Sequence, residues 1–478
     1  MEIHCRKVVI LIRVTRSVYN KNKPGFMNDD PGFVIWGAPD KEKISMRDIL
    51  NDSAERALAY LESIGERKVA PDPQAIARLK DLDQPLGDQP MDPHAVLAIL
   101  DEYISPATLA TTGPRFFGYV IGGAYPVTVG ASWMAAAWDQ NAGLYEPTPG
   151  AAYIEEIALK WLLDLFELPQ DSGGAFVTGA TVANLCGLAA GRHVVLERAG
   201  WDIEGEGLFD APPVTVIITD EAHPVLVKSL GLLGLGRNRV VRVPTDSQGR
   251  MRADQLPAIS GPTIVCLQAG NVNTGSFDPF REIIPQVHEA GGWVHVDGAF
   301  GLWAAVSEPY QHLTQGMNEA DSMATDAHKY LNVPYDSGFV LVREPRALRA
   351  AMAITAEYLP TETAFRNPDD YTPELSRRAR GIEVWTVLKF LGKNGLARLV
   401  DDTCRHARRF AEGFSEAGYE ILNDVVLNQV LVSFGEPEKT NKIITDLQED
   451  GTCWMGGTEW QGRTAMRISV SSWATTEE

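Results

Sequence analysis

Between Trp293 and Val342 two short apolar runs each stop on charged residues. WVHVDGAF (Trp293 to Phe300) reads as a buried strand, Trp293 to Val296, that ends on Asp297. SMATDAHKYLNVPYDSGFVLV (Ser322 to Val342) reads as a strand, a tight polar turn carrying Asp326, His328 and Lys329, and a second apolar run opened by Gly338. Strands this short and apolar are buried on both faces, which calls for a parallel-rich sheet between layers of helix. Ligands of such sheets sit outside the strand ends. An acid and a lysine at successive strand ends therefore suggest one site. Taken singly, a helix-capping acid and a surface lysine explain the same two residues.

The rest of the chain repeats the pattern. Val214 to Thr219 and Thr263 to Gln268 are further apolar strands, and Ala151 to Leu168 and Phe280 to Ala290 have helical spacing. A strand ending near Thr178 delivers Thr178-Gly179-Ala180-Thr181 to a helix start. Free N–H groups there suit an anion such as a phosphate, although a threonine at that point is also an ordinary cap. The 478 residues suffice for one large α/β domain and a smaller one. A net charge of −20 argues against nucleic acid or an anionic membrane as a partner, and no run approaches the length of a membrane span. Five scattered cysteines without a C-x-x-C fit free thiols in a reducing, cytoplasmic setting, and no metal site is expected.

HVDGAF resembles the H-V-D-A-A-Y/F pattern of the group II amino-acid decarboxylases, the glutamate, aromatic amino-acid and histidine decarboxylase relatives within the fold-type I pyridoxal 5'-phosphate (PLP) enzymes. DAHKYLNVPYDSG resembles their N-P-H-K-W turn, with Asp326-Ala327 for Asn-Pro and Tyr330 for Trp. The likeness covers roughly Ser105 to Trp473. It implies a large domain with a mostly parallel seven-stranded sheet flanked by helices, a smaller C-terminal α/β domain and an N-terminal helical segment. The expected bounds are 1–110, 111–375 and 376–478.

The same resemblance assigns roles. Lys329 is the Schiff-base lysine and Asp297 the partner of the pyridine nitrogen, with Ala299 and His328 beside them. VTGATVANL is similar to the G-G-(S/T)-x-A-N turn, which gives Ala180 and Thr181, with Asn184, to the phosphate. His223 matches a histidine that stacks on the ring; otherwise it caps the helix before Pro224. Asn271, in AGNVNTGSFDP, stands where the family has Thr. Phe117 and Tyr119, in GPRFFGYV, match aromatics that wall the substrate pocket; the plain reading is core packing. Tyr145 and Trp303 are further aromatic candidates. Tyr358 matches a loop tyrosine that donates a proton after CO2 leaves, or is simply packed. Arg467, in MRISV, stands where a carboxylate-binding arginine is common, or pairs with a surface acid.

The remaining segments say less. Two amphipathic helices, Asp48 to Ile64 and one opened by Asp92-Pro93, resemble a segment packed across a dimer, or form an ordinary hairpin. Residues 1–37 carry VVILIRV (Val8 to Val14), which reads as a lone strand, a disordered arm or a misassigned start. Thr475 to Glu478 reads as a helix start, so a closing helix seen in relatives is expected to be missing. Together these expectations describe a PLP-dependent decarboxylase of a small-molecule L-amino acid, acting as a homodimer with a shared site. An aminotransferase, a decarboxylating oxidative deaminase and a carbon–carbon lyase are the alternatives on the same scaffold.

Overall fold

The computed structural model describes residues 45–354 and 365–477. Two compact units divide them: the described part of Met1–Ser63 with Asp72–Thr108, and Ile64–Pro71 with the described part of Leu109–Glu478.

The first unit is helical. Its helices are Met46–Ser63, Pro73–Arg78 and Pro93–Ile99. The last two begin as the sequence dictates, with a capping aspartate followed by proline: Asp72 accepts the Gln74 N–H and Asp92 the Ala95 N–H. Arg56 joins Asp52 to Asp101, and His94 adds a second contact to Asp52. None of the three helices has a buried residue.

The second unit is built on a seven-stranded sheet. Its strands are β1 (Gly173–Val177), β2 (Thr215–Thr219), β3 (Val241–Val243), β4 (Thr263–Gln268), β5 (Trp293–Asp297), β6 (Ser322–Asp326) and β7 (Gly338–Val342). The order is β1-β7-β6-β5-β4-β2-β3. Only β7 runs against its neighbours, β1 and β6; the other pairings are parallel. Helices Pro149–Leu165, Ala180–Arg198, Pro224–Leu232, Phe280–Glu289 and Pro345–Met352 accompany these strands. Apolar clusters lie on both faces, one holding Leu267, Val296 and Trp303, the other Ile218, Cys266 and Val340. Each fully buried Leu, Ile or Val contributes about 1.5–3 kcal/mol, which is why these strands read as unbroken apolar runs.

A four-stranded sheet of order β10-β11-β9-β8 follows, with β8 (Glu420–Ile421), β9 (Gln429–Ser433), β10 (Gly456–Trp460) and β11 (Arg463–Ser469). One long helical element, Gly381–Glu416, precedes it, broken in φ/ψ at Gly392 (φ 59°), where glycine tolerates the positive angle. Thr475 to Glu477 is not helical. Instead the Thr475 hydroxyl donates to the Pro114 carbonyl and Ala474 N–H to the Ser472 hydroxyl, contacts that spend these groups outside a helix.

Candidate active site

The parallel register puts the chemistry on one edge. Gln268 stands beside Asp297 at the ends of β4 and β5, and Asp326 opposes Gly338 where β6 gives way to β7. Val177, the last residue of β1, faces the same Gly338. Gly179 is the point of closest approach: a Cβ there would lie 2.8 Å from Asp326 Oδ1 and 2.9 Å from His328 Cε1. Glycine thus lets the helix Ala180–Arg198 begin against the Lys329 turn.

Asp326 is the hub of that turn. Its Oδ2 lies 3.0 Å from Lys329 Nζ, and its Oδ1 accepts the Ala180 N–H and lies 3.3 Å from His328 Nε2. One carboxylate therefore spans the lysine amine and the positive end of a helix. His328 Nδ1 accepts the Ser337 N–H (3.1 Å), and its ring stacks on Tyr335. Burial lowers the His328 pKa. Ala299 bridges the two acids, donating its N–H to Asp297 Oδ1 (3.2 Å) and accepting the Asp326 N–H (3.0 Å).

Asp297 is buried, and that burial raises its pKa; the charges of His223 and Lys329 oppose the rise. His223 caps the helix Pro224–Leu232, its Nδ1 accepting the Val225 N–H (3.3 Å), so the capping reading holds. Its ring also feels the charges of Asp297, Lys329, Arg467 and Asp326, while burial lowers its pKa. Residues from five separate segments thus meet at this edge. Arg467, on β11, has only long contacts, 3.4 Å to the Val272 carbonyl and 3.4 Å to Asn273 Oδ1, and burial lowers its pKa. Among the described residues it has no ion-pair partner, which disposes of the surface-pair reading.

Some expected residues face elsewhere. Phe117 is buried with Val432, Phe434 and Met466 in the core of the small sheet and packs edge-on against Phe410. Tyr119, two residues on, stacks against Trp454 and is 61% exposed. Its positive φ (54°) breaks the strand-like alternation that would have put both rings on one face. Trp303 is a core residue, 1% exposed, against Phe166 and Phe339. Tyr145 stacks on Phe365. Asn184 is 0% exposed, and its Oδ1 lies 2.7 Å from His295 Nε2. Asn271 spends its Oδ1 on the N–H groups of Asn273 and Thr274, a local turn that orients its side chain. The Thr181 carbonyl accepts the Ser229 hydroxyl. Tyr358 and residues 1–37 lie outside the described residues. Asp326 was legible only as a departure from the family turn; its acid at a lysine i+3 was the available signal.

The donor set fits PLP: an amine for its aldehyde, a buried acid for its ring nitrogen, an imidazole nearby, and a helix start with His328 for its phosphate. Among the described residues the buried Ser337 hydroxyl beside His328 has no hydrogen-bond partner. Among the described residues no His, Cys, Asp and Glu group could hold a metal ion.

Comparison with known proteins agrees with this geometry. The model of the "pyridoxal-dependent decarboxylase conserved domain" matches residues 73–435, more than half the chain. The aromatic-L-amino-acid decarboxylase of Bacillus atrophaeus is 26% identical over 410 residues, 81% of this chain and 83% of that one. The acidic amino acid decarboxylase GADL1 of Bos taurus is 28% identical over 364 residues, 73% of this chain and 68% of that one. The crystal structure of Rhodiola rosea 4-hydroxyphenylacetaldehyde synthase shares the fold, with a TM-score of 0.80 at 21% identity, covering 91% of this chain and 96% of that one.

Proposed function

Because the chain belongs to the pyridoxal-dependent decarboxylase family and is a fold-type I PLP enzyme acting on amino acids, we propose that it removes CO2 from an L-amino acid and releases the amine. The observation that carries this reading is the Lys329 amine, 3.0 Å from Asp326 on the strand end next to that of Asp297, the two acids being joined through Ala299. Lys329 would hold the cofactor through its aldehyde carbon, Asp297 would face the ring nitrogen, and Ala180, Thr181 and His328 would hold the phosphate. When bound, the cofactor supplies a ring that draws off the electron pair left at Cα by whichever bond stands perpendicular to it.

The chain's own groups select that bond. Arg467 would bind a substrate carboxylate through a forked, charge-assisted contact; a grip on the α-carboxylate would favour amino transfer, which retains that group, whereas a productive Tyr358 favours loss of CO2. His223, whose pKa burial lowers, would stack on the ring and would be placed to pass a proton at its Nε2. Asp326 would hold the Lys329 amino group when it is not bound to the cofactor. Tyr358 is the proposed donor of the proton that replaces CO2 at Cα. The shared edge belongs to a homodimer in this reading, supported by the apolar side chains left exposed on helix Pro126–Trp138 (Trp133, Met134 and Trp138). We place the protein in the cytoplasm, supported by the free thiols of Cys186, Cys266, Cys404 and Cys453.

The second reading, oxidative deamination coupled to decarboxylation, would give an aldehyde, and is supported by the 26% identity over 334 residues to the 4-hydroxyphenylacetaldehyde synthase of Rhodiola rosea, whose name is that of an aldehyde-forming enzyme. PLP-loaded protein given a panel of L-amino acids, with and without a keto acid and with and without oxygen, separates the two. CO2 with a matching amine and no need of either additive supports decarboxylation, and Tyr358→Phe should then divert product from amine toward aldehyde. CO2 with aldehyde and consumed oxygen supports the second reading. Amino transfer to the keto acid without CO2 rules out both.

A further inference from the structure

Two segments that carry site residues, and a third beside them, are fastened by one side chain outside the site. Asn332 follows Lys329 in the turn, is 0% exposed and has a positive φ of 54°, which asparagine tolerates better than most residues. Its Oδ1 accepts the N–H groups of Gly123 (2.6 Å) and Trp473 (3.1 Å). Its Nδ2 donates to the carbonyls of Tyr330 (2.7 Å) and Ser471 (3.0 Å). Its own carbonyl accepts the Tyr125 N–H (3.1 Å), and its N–H donates to the Lys329 carbonyl (3.2 Å). Both side-chain acceptor positions and both donors are used, the full capacity of an amide.

What these bonds join gives the amide its meaning. The Gly123–Tyr125 segment continues from Tyr119. The Ser471–Trp473 segment continues from Arg467 at the end of β11. The turn itself carries Lys329, and its carbonyl is pressed so closely by Gly122 that a Cβ there would lie 1.9 Å away. The two outer segments also hold each other: Trp473 Nε1 donates to the Ala124 carbonyl (3.1 Å) and its ring stacks on Tyr125 (4.9 Å). They would therefore stay together without the Asn332 side chain, but would be held to the Lys329 turn by the Tyr125 N–H and the Gly122 contact, without the bonds from Gly123, Ser471 and Trp473 that help fix their distance from it.

We propose that Asn332 is a positioning residue that sets where Arg467 stands relative to Lys329. This rests on the reading that Lys329 carries the cofactor and Arg467 faces the substrate carboxylate. Asp cannot replace Asn here, because its carboxylate keeps the two accepted bonds and loses both donated ones. Gly keeps the backbone angle and loses all four.

Two small probes isolate the effect. Hydroxylamine and aminooxyacetate both displace Lys329 from the cofactor's carbonyl carbon and free its amine, but only aminooxyacetate brings a carboxylate. The rate ratio between them therefore reads the alignment of Arg467 with Lys329, followed as loss of the visible absorbance of lysine-bound cofactor. Wild type should favour aminooxyacetate. Asn332→Gly, loaded to the same absorbance, should lose roughly tenfold or more of that preference, with Asn332→Asp in between. A folded, loaded Asn332→Gly whose ratio stays within about twofold of wild type would overturn the proposal. So would failure of both variants to fold into a loaded protein, since the residue would then be plainly structural. Absence of a lysine-bound absorbance in wild type, or of any preference, would instead remove the cofactor or Arg467 reading, and the proposal with it.

Discussion

The large sheet buries polar side chains in two regions, and the two are satisfied differently. Inside it, His295 lies between Asn184 Oδ1 (2.7 Å) and the Ser322 hydroxyl (2.8 Å), which also accepts the Trp293 indole N–H (3.0 Å). All these partners are neutral. Two residues further along β5, Asp297 stands at the strand end among His223, Lys329 and Asp326, which carry or can take a charge. The same strand thus holds one polar residue whose protonation is fixed and one whose protonation depends on its neighbours. Burial of a polar group is therefore no sign of function by itself; burial among charges at the edge of the sheet is the more informative pattern.

The sharpest way to break this contrast is to remove the edge's amine. Lys329→Ala should abolish the visible absorbance of lysine-bound cofactor and lower turnover by roughly 10^4-fold or more, measured by spectrophotometry and CO2 release. A variant that kept both would move the chemistry away from the edge. Next in size is Asp297→Asn, which should keep the lysine-bound absorbance and lower turnover by roughly 10^2- to 10^3-fold, because the neutral amide no longer supports a protonated ring nitrogen. Near-normal turnover in that variant would make Asp297 an interior residue of the His295 kind.

The sequence exposed this edge more readily than its surroundings. β2, β4, β5, β6 and β7 were legible because burial on both faces leaves an unbroken apolar run. Lys329 and Asp297 were legible because each ends such a run within a recurring motif. What escaped depends on contacts between distant residues. The strand β10 (Gly456–Trp460) begins with two glycines, which have low strand propensity, and exists through its pairing with β11. The pairing of Asn184 with His295, 111 positions away in sequence, exists only once the fold has formed. The Phe117 and Tyr119 rings part because of a left-handed backbone at Tyr119 that no residue type announced. Asn332 gave no signal at all, since its meaning lies in Gly123 and Ser471.

Arg467 tests whether the edge extends to the small sheet. Arg467→Gln should raise KM for the amino acid by roughly 10- to 100-fold and alter kcat less, because a carboxylate contact made before the reaction is lost. Arg467→Lys should restore little, since a point charge does not reproduce the fork. Equal loss in kcat and kcat/KM with KM unchanged would instead mean that the guanidinium acts only as the bond at Cα breaks.

The smallest effect belongs to the interior, and there the expected change is in stability. Burial pulls the His295 pKa down from 6.5 to about 3, so the folded protein keeps this imidazole neutral where the unfolded chain takes up a proton. Between those values the unfolded state binds more protons, and stability falls as pH drops, by about 1.4 kcal/mol per pH unit. The contribution of His295 is therefore whole above about pH 6.5 and diminished by about 2 kcal/mol at pH 5. His295→Gln cannot titrate. It should cost about 1–3 kcal/mol at pH 7 through imperfect pairing with Asn184 and Ser322, and its deficit relative to wild type should shrink by about 2 kcal/mol at pH 5, read from denaturant melts at the two pH values. Lysine-bound absorbance and turnover at pH 7 should stay near wild type. A deficit independent of pH would mean that His295 is not held neutral, and a loss of cofactor binding would join the interior to the edge and erase the distinction between them.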